Sequence, residues 1–298
     1  MVVPWFNRVA PADLLALTKP RITMLVVLTV AAGFALAVPP SSGPWTMSTW
    51  RLLLHTMFGA AIVAAGTSAL NQVIERDVDA LMRRTVRRPL PAGRLAVRDA
   101  TIFAWGLGIA GVGYLTLLVN VTTALVAALT LLTYVLLYTP LKRRTPMSTL
   151  IGAIPGALPI VGGWTGAGGE LTTRVWLLFV ILCMWQLPHF LALSWMYRED
   201  YARAGLRMLS VVEPDGGSTF RQATLTAAAL IPVSLAPVVF QMAGGVYFVG
   251  AAVLSGAMFA MSVAAARDRS VRRARRLFLA SLVYLPGVLT LMIVDRSS

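Results

Sequence analysis

Asn71, Glu75 and Asp79 stand four residues apart in the run NQVIERDVDALMRRTVRRPLPAGR, residues 71–94. On a continuing α-helix this spacing puts an amide and two carboxylates on one face, with Asp77 off that face unless the helix loosens. All four are oxygen donors, which suits Mg²⁺, a cation that keeps waters and shares substrate phosphates. The next turn is cationic, with Arg83, Arg84, Arg87 and Arg88. Arginine binds phosphate through two parallel N–H bonds. Acid-held metal beside arginine fits a ligand with a diphosphate head and an apolar tail. A plainer reading also fits: a solvated loop in which Glu75 and Asp79 pair with nearby Arg.

A second cluster lies in WQLPHFLALSWMYREDYARAGLRMLSVVE, residues 185–213. Glu199 and Asp200 are candidates for a second metal site opposite the first. His189 follows Pro188 within an apolar run, where a histidine is more often a packed or hydrogen-bonded residue than a ligand. His55 reads as structural. Two histidines so far apart, with Cys183 the one cysteine, exclude a protein-built zinc site and a disulfide framework. Between the clusters, Lys142 and Arg143 are within reach of a phosphate or simply follow loop charge. Gly152, Gly156, Gly162 and Gly163 then suit close helix packing, and Pro155 and Pro159 should bend their helix.

The elements that position these residues are apolar and long. Hydrophobic residues make up 57 % of the 298 and charged residues 13 %, against roughly 25 % charged in a soluble domain. Continuous apolar runs cover about 22–39, 52–72, 100–118, 121–139, 149–167, 175–196, 222–241, 246–265 and 277–294. Each approaches the ~20 residues a spanning helix needs. The expected fold is an all-α polytopic membrane protein with about nine transmembrane helices, forming one domain over residues 1–298. The first twenty residues lack signal-peptide organisation, so the first helix is expected to act as its own insertion signal.

With the N-terminus cytoplasmic, Arg8, Lys19, Arg21 and four basic loops share one side. Only Arg51, Arg174 and Arg296 of the 26 Lys and Arg residues fall on the other. This asymmetry fixes the orientation and explains the net charge of +14 without nucleic acid. Glu75, Asp77, Asp79 and Asp99 come after the second helix, and Glu199, Asp200, Glu213 and Asp215 after the sixth. Acidic loops four helices apart suggest two four-helix pseudo-repeats plus a ninth helix.

Asn71 to Pro89 resembles the first aspartate-rich motif of the UbiA superfamily of intramembrane prenyltransferases. Three stretches resemble its heme-farnesylating branch: ERDVDALMRRTVRRPLPAGR; LKRRTP followed by IGAIPGALPIVGGW; and PHF followed by YREDYARAG and ML. Glu75 stands where aspartate is usual, Ser148 where asparagine is common, and Arg207 and Ser210 where prolines are usual.

The resemblance implies transfer of a farnesyl group from farnesyl diphosphate to heme B, with Mg²⁺ as cofactor. It makes Asn71, Glu75, Asp79, Arg84 and Arg88 the catalytic set. Asn71, Glu75, Asp79, Glu199 and Asp200 become metal ligands, and Lys142, Arg143, His189, Tyr201 and Asp77 substrate contacts. It implies a bacterial plasma (inner) membrane with the site loops on the cytoplasmic side. A heme A synthase or terminal oxidase assembly is a candidate partner. A sister prenyltransferase with a quinone-precursor or chlorophyllide acceptor, an anion transporter and a purely structural oxidase-assembly subunit are the alternatives.

Overall fold

The computed structural model describes residues 10–296, so Arg8 lies outside the described residues. Every regular element among the described residues is helical. Eight helical runs are long and apolar enough to cross a membrane. They are α2 (Pro20–Ala37), α3 (Met47–Asp79), α4 (Val97–Leu118), the run Val121–Leu141 that begins with α5 (Val121–Leu132), α8 (Thr173–Met196), α11 (Gly217–Val239), α12 (Gly245–Asp268) and α13 (Val271–Val294). The chain is a multi-pass membrane protein of all-helical fold.

The expected segment missing from these eight, 149–167, is the 19-residue helix α7 (Ser148–Gly166). Its glycines and prolines keep it outside the set of eight. Burial explains how it tolerates them: most of α7 is sealed between α2, α5 and α8 rather than turned to lipid. The shorter helices are α1 (Pro11–Leu17), α6 (Thr139–Leu141), α9 (Arg198–Arg203) and α10 (Leu209–Val212).

Small residues set the closest approaches. Gly33 of α2 lies against the Ile160 carbonyl of α7, and Gly163 of α7 lies against the Val30 carbonyl of α2, so a Cβ at either position would strike backbone. Gly66 makes a similar approach to Gly108 between α3 and α4. Such contacts let membrane helices pack backbone to backbone. Gly152 meets Tyr138 and Gly156 meets Gln186, as the glycine spacing predicts. Gly162 differs, with only Val126 near its missing side chain. At the far end of the bundle, Arg296 donates to the carbonyls of Ala35 and Val38 and ties the end of α13 to α2.

The segments after α3 and after α8 meet on one side of the bundle. Val78 and Met82 pack with Tyr201, Ala204, Leu206 and Met208 in a small apolar cluster. That cluster holds the two polar loops together over the ends of the long helices.

Candidate active site

At 33 residues α3 is roughly 50 Å long, well beyond the ~30 Å of a hydrocarbon core. It stays helical through Asp79, and this continuity gathers the predicted face. Asn71 and Asp79 are buried, Asp79 to 1 % exposure, and Glu75 lies between them with 13 % of its side chain exposed. Because the helix does not loosen, Asp77 turns the other way. Its side chain is 77 % exposed and pairs with Arg76, so Asp77 does not join the site.

Three cations close over this face. Lys142 Nζ donates to Glu75 Oε1 at 2.8 Å, and Arg88 Nη1 donates to Asp79 Oδ2 at 2.6 Å. Lys19 Nζ donates to Asn71 Oδ1 at 2.7 Å, while Asn71 Nδ2 donates to Thr139 Oγ1 at 3.3 Å. The plainer expectation is met only for the pairing of Asp79 with Arg88; Glu75 pairs instead with a lysine from a distant loop, and Asp79 is buried rather than solvated. The pairing is incomplete. Asp79 Oδ1 is buried and has no hydrogen-bond partner among the described residues, an expensive state for a carboxylate oxygen.

Local chain geometry explains how the distant groups arrive. Lys19 sits between α1 and α2 with a left-handed φ of 46°, directly before Pro20. That conformation costs about 1–2 kcal/mol for a residue other than glycine. Gln72, next to Asn71, donates to the carbonyls of Ala16 and Leu17 at the end of α1. The α1–α2 break is thereby fastened to α3. On the other side, residues Thr133–Tyr138 form a π-helical turn. Such a turn inserts extra backbone into the helix and re-aims the residues beyond it. Thr139 Oγ1 donates back to the Tyr134 carbonyl, and Lys142 lies over the Tyr138 ring at 4.4 Å.

These contacts set the charge states outside the membrane spans. Burial, with Arg88 close by, pulls the Lys19 amine down to about 7. Burial also works against the Lys142 charge, but Glu75 and the tyrosines Tyr138 and Tyr134 more than offset it. The Lys142 ammonium is held well above its usual range.

Arg84 and Tyr201 form the roof. Arg84 donates to the Tyr201 hydroxyl at 3.3 Å and lies over the rings of Tyr197 and Tyr201. Arg143 lines an open cleft of about 380 Å³ with Glu75, Thr139, Arg144 and Leu206. This cleft leads from solvent to the acidic face.

The second acidic cluster does not complete a metal centre. Glu199 points to solvent, while Asp200 is buried and engaged by Arg203. No three His, Cys, Asp or Glu side chains gather to hold an ion among the described residues. The five-ligand set expected from sequence is corrected accordingly: the structure brings together Asn71, Glu75 and Asp79. These three still fit Mg²⁺, because it commonly takes one or two carboxylates and completes its shell with phosphate and water. The orphaned Asp79 Oδ1 is the oxygen such a cation would satisfy.

His189 lies apart, on α8, with Nδ1 2.7 Å from Ser281 Oγ of α13. His55 is hydrogen-bonded to Tyr114 at 2.7 Å, a structural contact between α3 and α4. Sequence reasoning gave neither Lys19 nor Thr139 a place in the site. The signal for Lys19 was a charged residue immediately before a proline at the start of an apolar run.

Residues 26–284 match the UbiA prenyltransferase family. The chain is 47 % identical to the protoheme IX farnesyltransferase of Solibacter usitatus, over 95 % of this chain and 98 % of that protein. The fold is similar to a solved structure of digeranylgeranylglyceryl phosphate synthase in membranes, with TM-score 0.78 and 17 % identity over 95 % and 97 % of the two chains. It is also similar to a UbiA homologue from Archaeoglobus fulgidus bound to GPP and Mg²⁺, with TM-score 0.66 and 16 % identity over 94 % and 99 %. The transmembrane helices, the buried polar face of α3 and these likenesses agree: the chain belongs to the UbiA prenyltransferase family.

Proposed function

We propose that this enzyme transfers the farnesyl group of farnesyl diphosphate to a vinyl group of heme B, with addition of water, to give heme O. The observation that carries the donor half is the buried face of Asn71, Glu75 and Asp79 under Lys19, Arg88 and Lys142. The acceptor half rests on likeness to the protoheme IX farnesyltransferase of Solibacter usitatus.

In the reaction the allylic C–O bond of farnesyl diphosphate breaks and diphosphate leaves with the bonding pair. The vinyl π electrons form the new bond to the farnesyl carbon. Water captures the resulting cation beside the ring and releases a proton, leaving a hydroxyethylfarnesyl group. Lys19, Arg88 and Lys142 neutralise the departing diphosphate, the largest charge that develops. Each already holds an oxygen of the acidic face, so each can pass to a phosphate oxygen with little reorganisation. Arg84 and Arg143 guard the approach from solvent. Mg²⁺, held by Asn71, Glu75 and Asp79, would supply Lewis-acid stabilisation of the same leaving charge. Asp200 and Tyr201 support the roof, Asp200 through Arg203 and Tyr201 through Arg84.

The charge asymmetry supports nine crossings, a cytoplasmic N-terminus and a site at the cytoplasmic face of a bacterial inner membrane.

The test is direct. Membranes containing the protein are incubated with heme B, farnesyl diphosphate and Mg²⁺, and extracted hemes are analysed by chromatography and mass spectrometry. The expected product is heavier than heme B by one farnesyl group plus water, and it disappears with chelator. Unchanged heme together with a prenylated quinone precursor would overturn the acceptor assignment.

A further inference from the structure

The contact between α8 and α13 contains a polar group that the diphosphate site does not use. Ser281 is fully buried. Its carbonyl accepts from Trp185 Nε1 at 2.7 Å, and its hydroxyl donates to the Phe278 carbonyl at 2.5 Å. A serine hydroxyl has one proton. With that proton directed at a carbonyl, which can only accept, Ser281 Oγ is left to accept from His189. The 2.7 Å contact is therefore an Nδ1–H bond from His189 to Ser281. The neutral imidazole then carries its lone pair on Nε2.

The surroundings hold that ring still and leave Nε2 available. Trp185 stacks on the imidazole at 5.2 Å and 29°, and Phe278 lies at 4.7 Å and 31°. Nε2 makes no hydrogen bond among the described residues, and it is not sealed off by neighbouring atoms. His189 is seven residues before the end of α8 at Met196, and Asn71 is eight before the end of α3 at Asp79. At 1.5 Å per residue both lie about 10–12 Å in from the side where Arg84 meets Tyr201. His189 is thus about two turns in from the loop-bearing end of its helix, as Asn71 is from the end of its own.

We propose that Ser281 is a positioning residue that fixes the His189 tautomer, so that Nε2 serves as an axial ligand to the iron of the porphyrin acceptor. This rests on the heme-acceptor reading above. A metal-binding histidine commonly donates its other ring N–H to a fixed acceptor, which orients the ring and raises its basicity. Ser281 is that acceptor, and the flanking rings of Trp185 and Phe278 offer apolar surface beside it.

The experiment titrates the purified full-length protein with ferric heme B and, separately, with metal-free protoporphyrin IX, following absorption and electron paramagnetic resonance. Wild type should show an imidazole-ligated iron signature. His189→Gly should lose it and regain it with added imidazole, while protoporphyrin IX binds nearly as before. Ser281→Ala should weaken ferric heme binding by about 10- to 100-fold, the range for loss of such an outer partner. Ser281→Thr, which keeps the hydroxyl, should restore it. An unchanged iron signature in His189→Gly, or unchanged heme affinity in Ser281→Ala, overturns the inference. Heme farnesylation by wild type is measured in parallel. Its absence would sink the acceptor assignment, whereas its presence with an unchanged His189→Gly signature would sink only the ligand role.

Discussion

Lys142 donates its Nζ to Glu75 at 2.8 Å, and the two side chains are only 14 % and 13 % exposed. Removing one partner strands a charge away from water. Lys142→Met should therefore destabilise the protein by about 3–5 kcal/mol. Adding Glu75→Gln to the same chain should recover most of that loss without recovering turnover. Thermal unfolding in detergent, read beside heme farnesylation, separates the two effects; a single variant as stable as wild type would contradict the pairing.

Asp79→Asn keeps the shape of a buried side chain while removing its charge toward Arg88 and its unpartnered oxygen's affinity for a cation. Farnesyl transfer should fall by at least about 100-fold, the scale of losing one charge-stabilising group. Membrane insertion and yield should be unchanged. Wild-type turnover in this variant would remove the metal role from Asp79.

Lys19 should make diphosphate binding depend on pH. Its amine lies at about 7 in the folded protein against an ordinary 10.5. Between those values the unfolded chain binds the proton that the folded chain has released. The Lys19 contribution to stability therefore rises with pH across this window and is least favourable below 7. An anion favours the ammonium form, so binding of inorganic pyrophosphate at pH 8 should take up a proton and weaken toward pH 9. Calorimetry in buffers of different ionisation heat counts that proton. Lys19→Gln should abolish the uptake, and a wild type that takes up none would refute the assignment.

The Arg207 backbone N–H donates to the Lys142 carbonyl at 2.9 Å. Arg207 stands where proline is usual in the resembling family, and a proline could not make this bond. In this chain the loop after α8 thus braces the loop that carries Lys142. Arg207→Pro should raise KM for farnesyl diphosphate several-fold and leave insertion intact. Steady-state kinetics at saturating heme measures the change; an unaltered KM would show that the brace does not matter to Lys142.

The face of Asn71, Glu75 and Asp79 was legible because helical periodicity is a local property, and α3 obeys it to its last residue. The apolar runs were legible for a similar reason, since lipid permits little besides long apolar helices. The groups that reach that face were not legible. Lys19 arrives from 52 positions away and Thr139 from 68, through a break between helices and a π-helical turn that only packing defines. Glu199 looked equivalent to Asp200 because adjacent acids read alike in sequence. On the short helix α9 they point to different surroundings, one to solvent and one inward. The limits of α3 were likewise underestimated, because its charged final turns do not register as a membrane span.

The reciprocal contacts of Gly33 with Ile160 and of Gly163 with Val30 make α2 and α7 a single beam. Lys19 is anchored at one end of that beam, so its distance from Asn71 is inherited in part from two hydrogen atoms near the opposite end. A methyl group at either glycine would act as a wedge whose thickness is felt at the diphosphate site, many turns from where it was inserted.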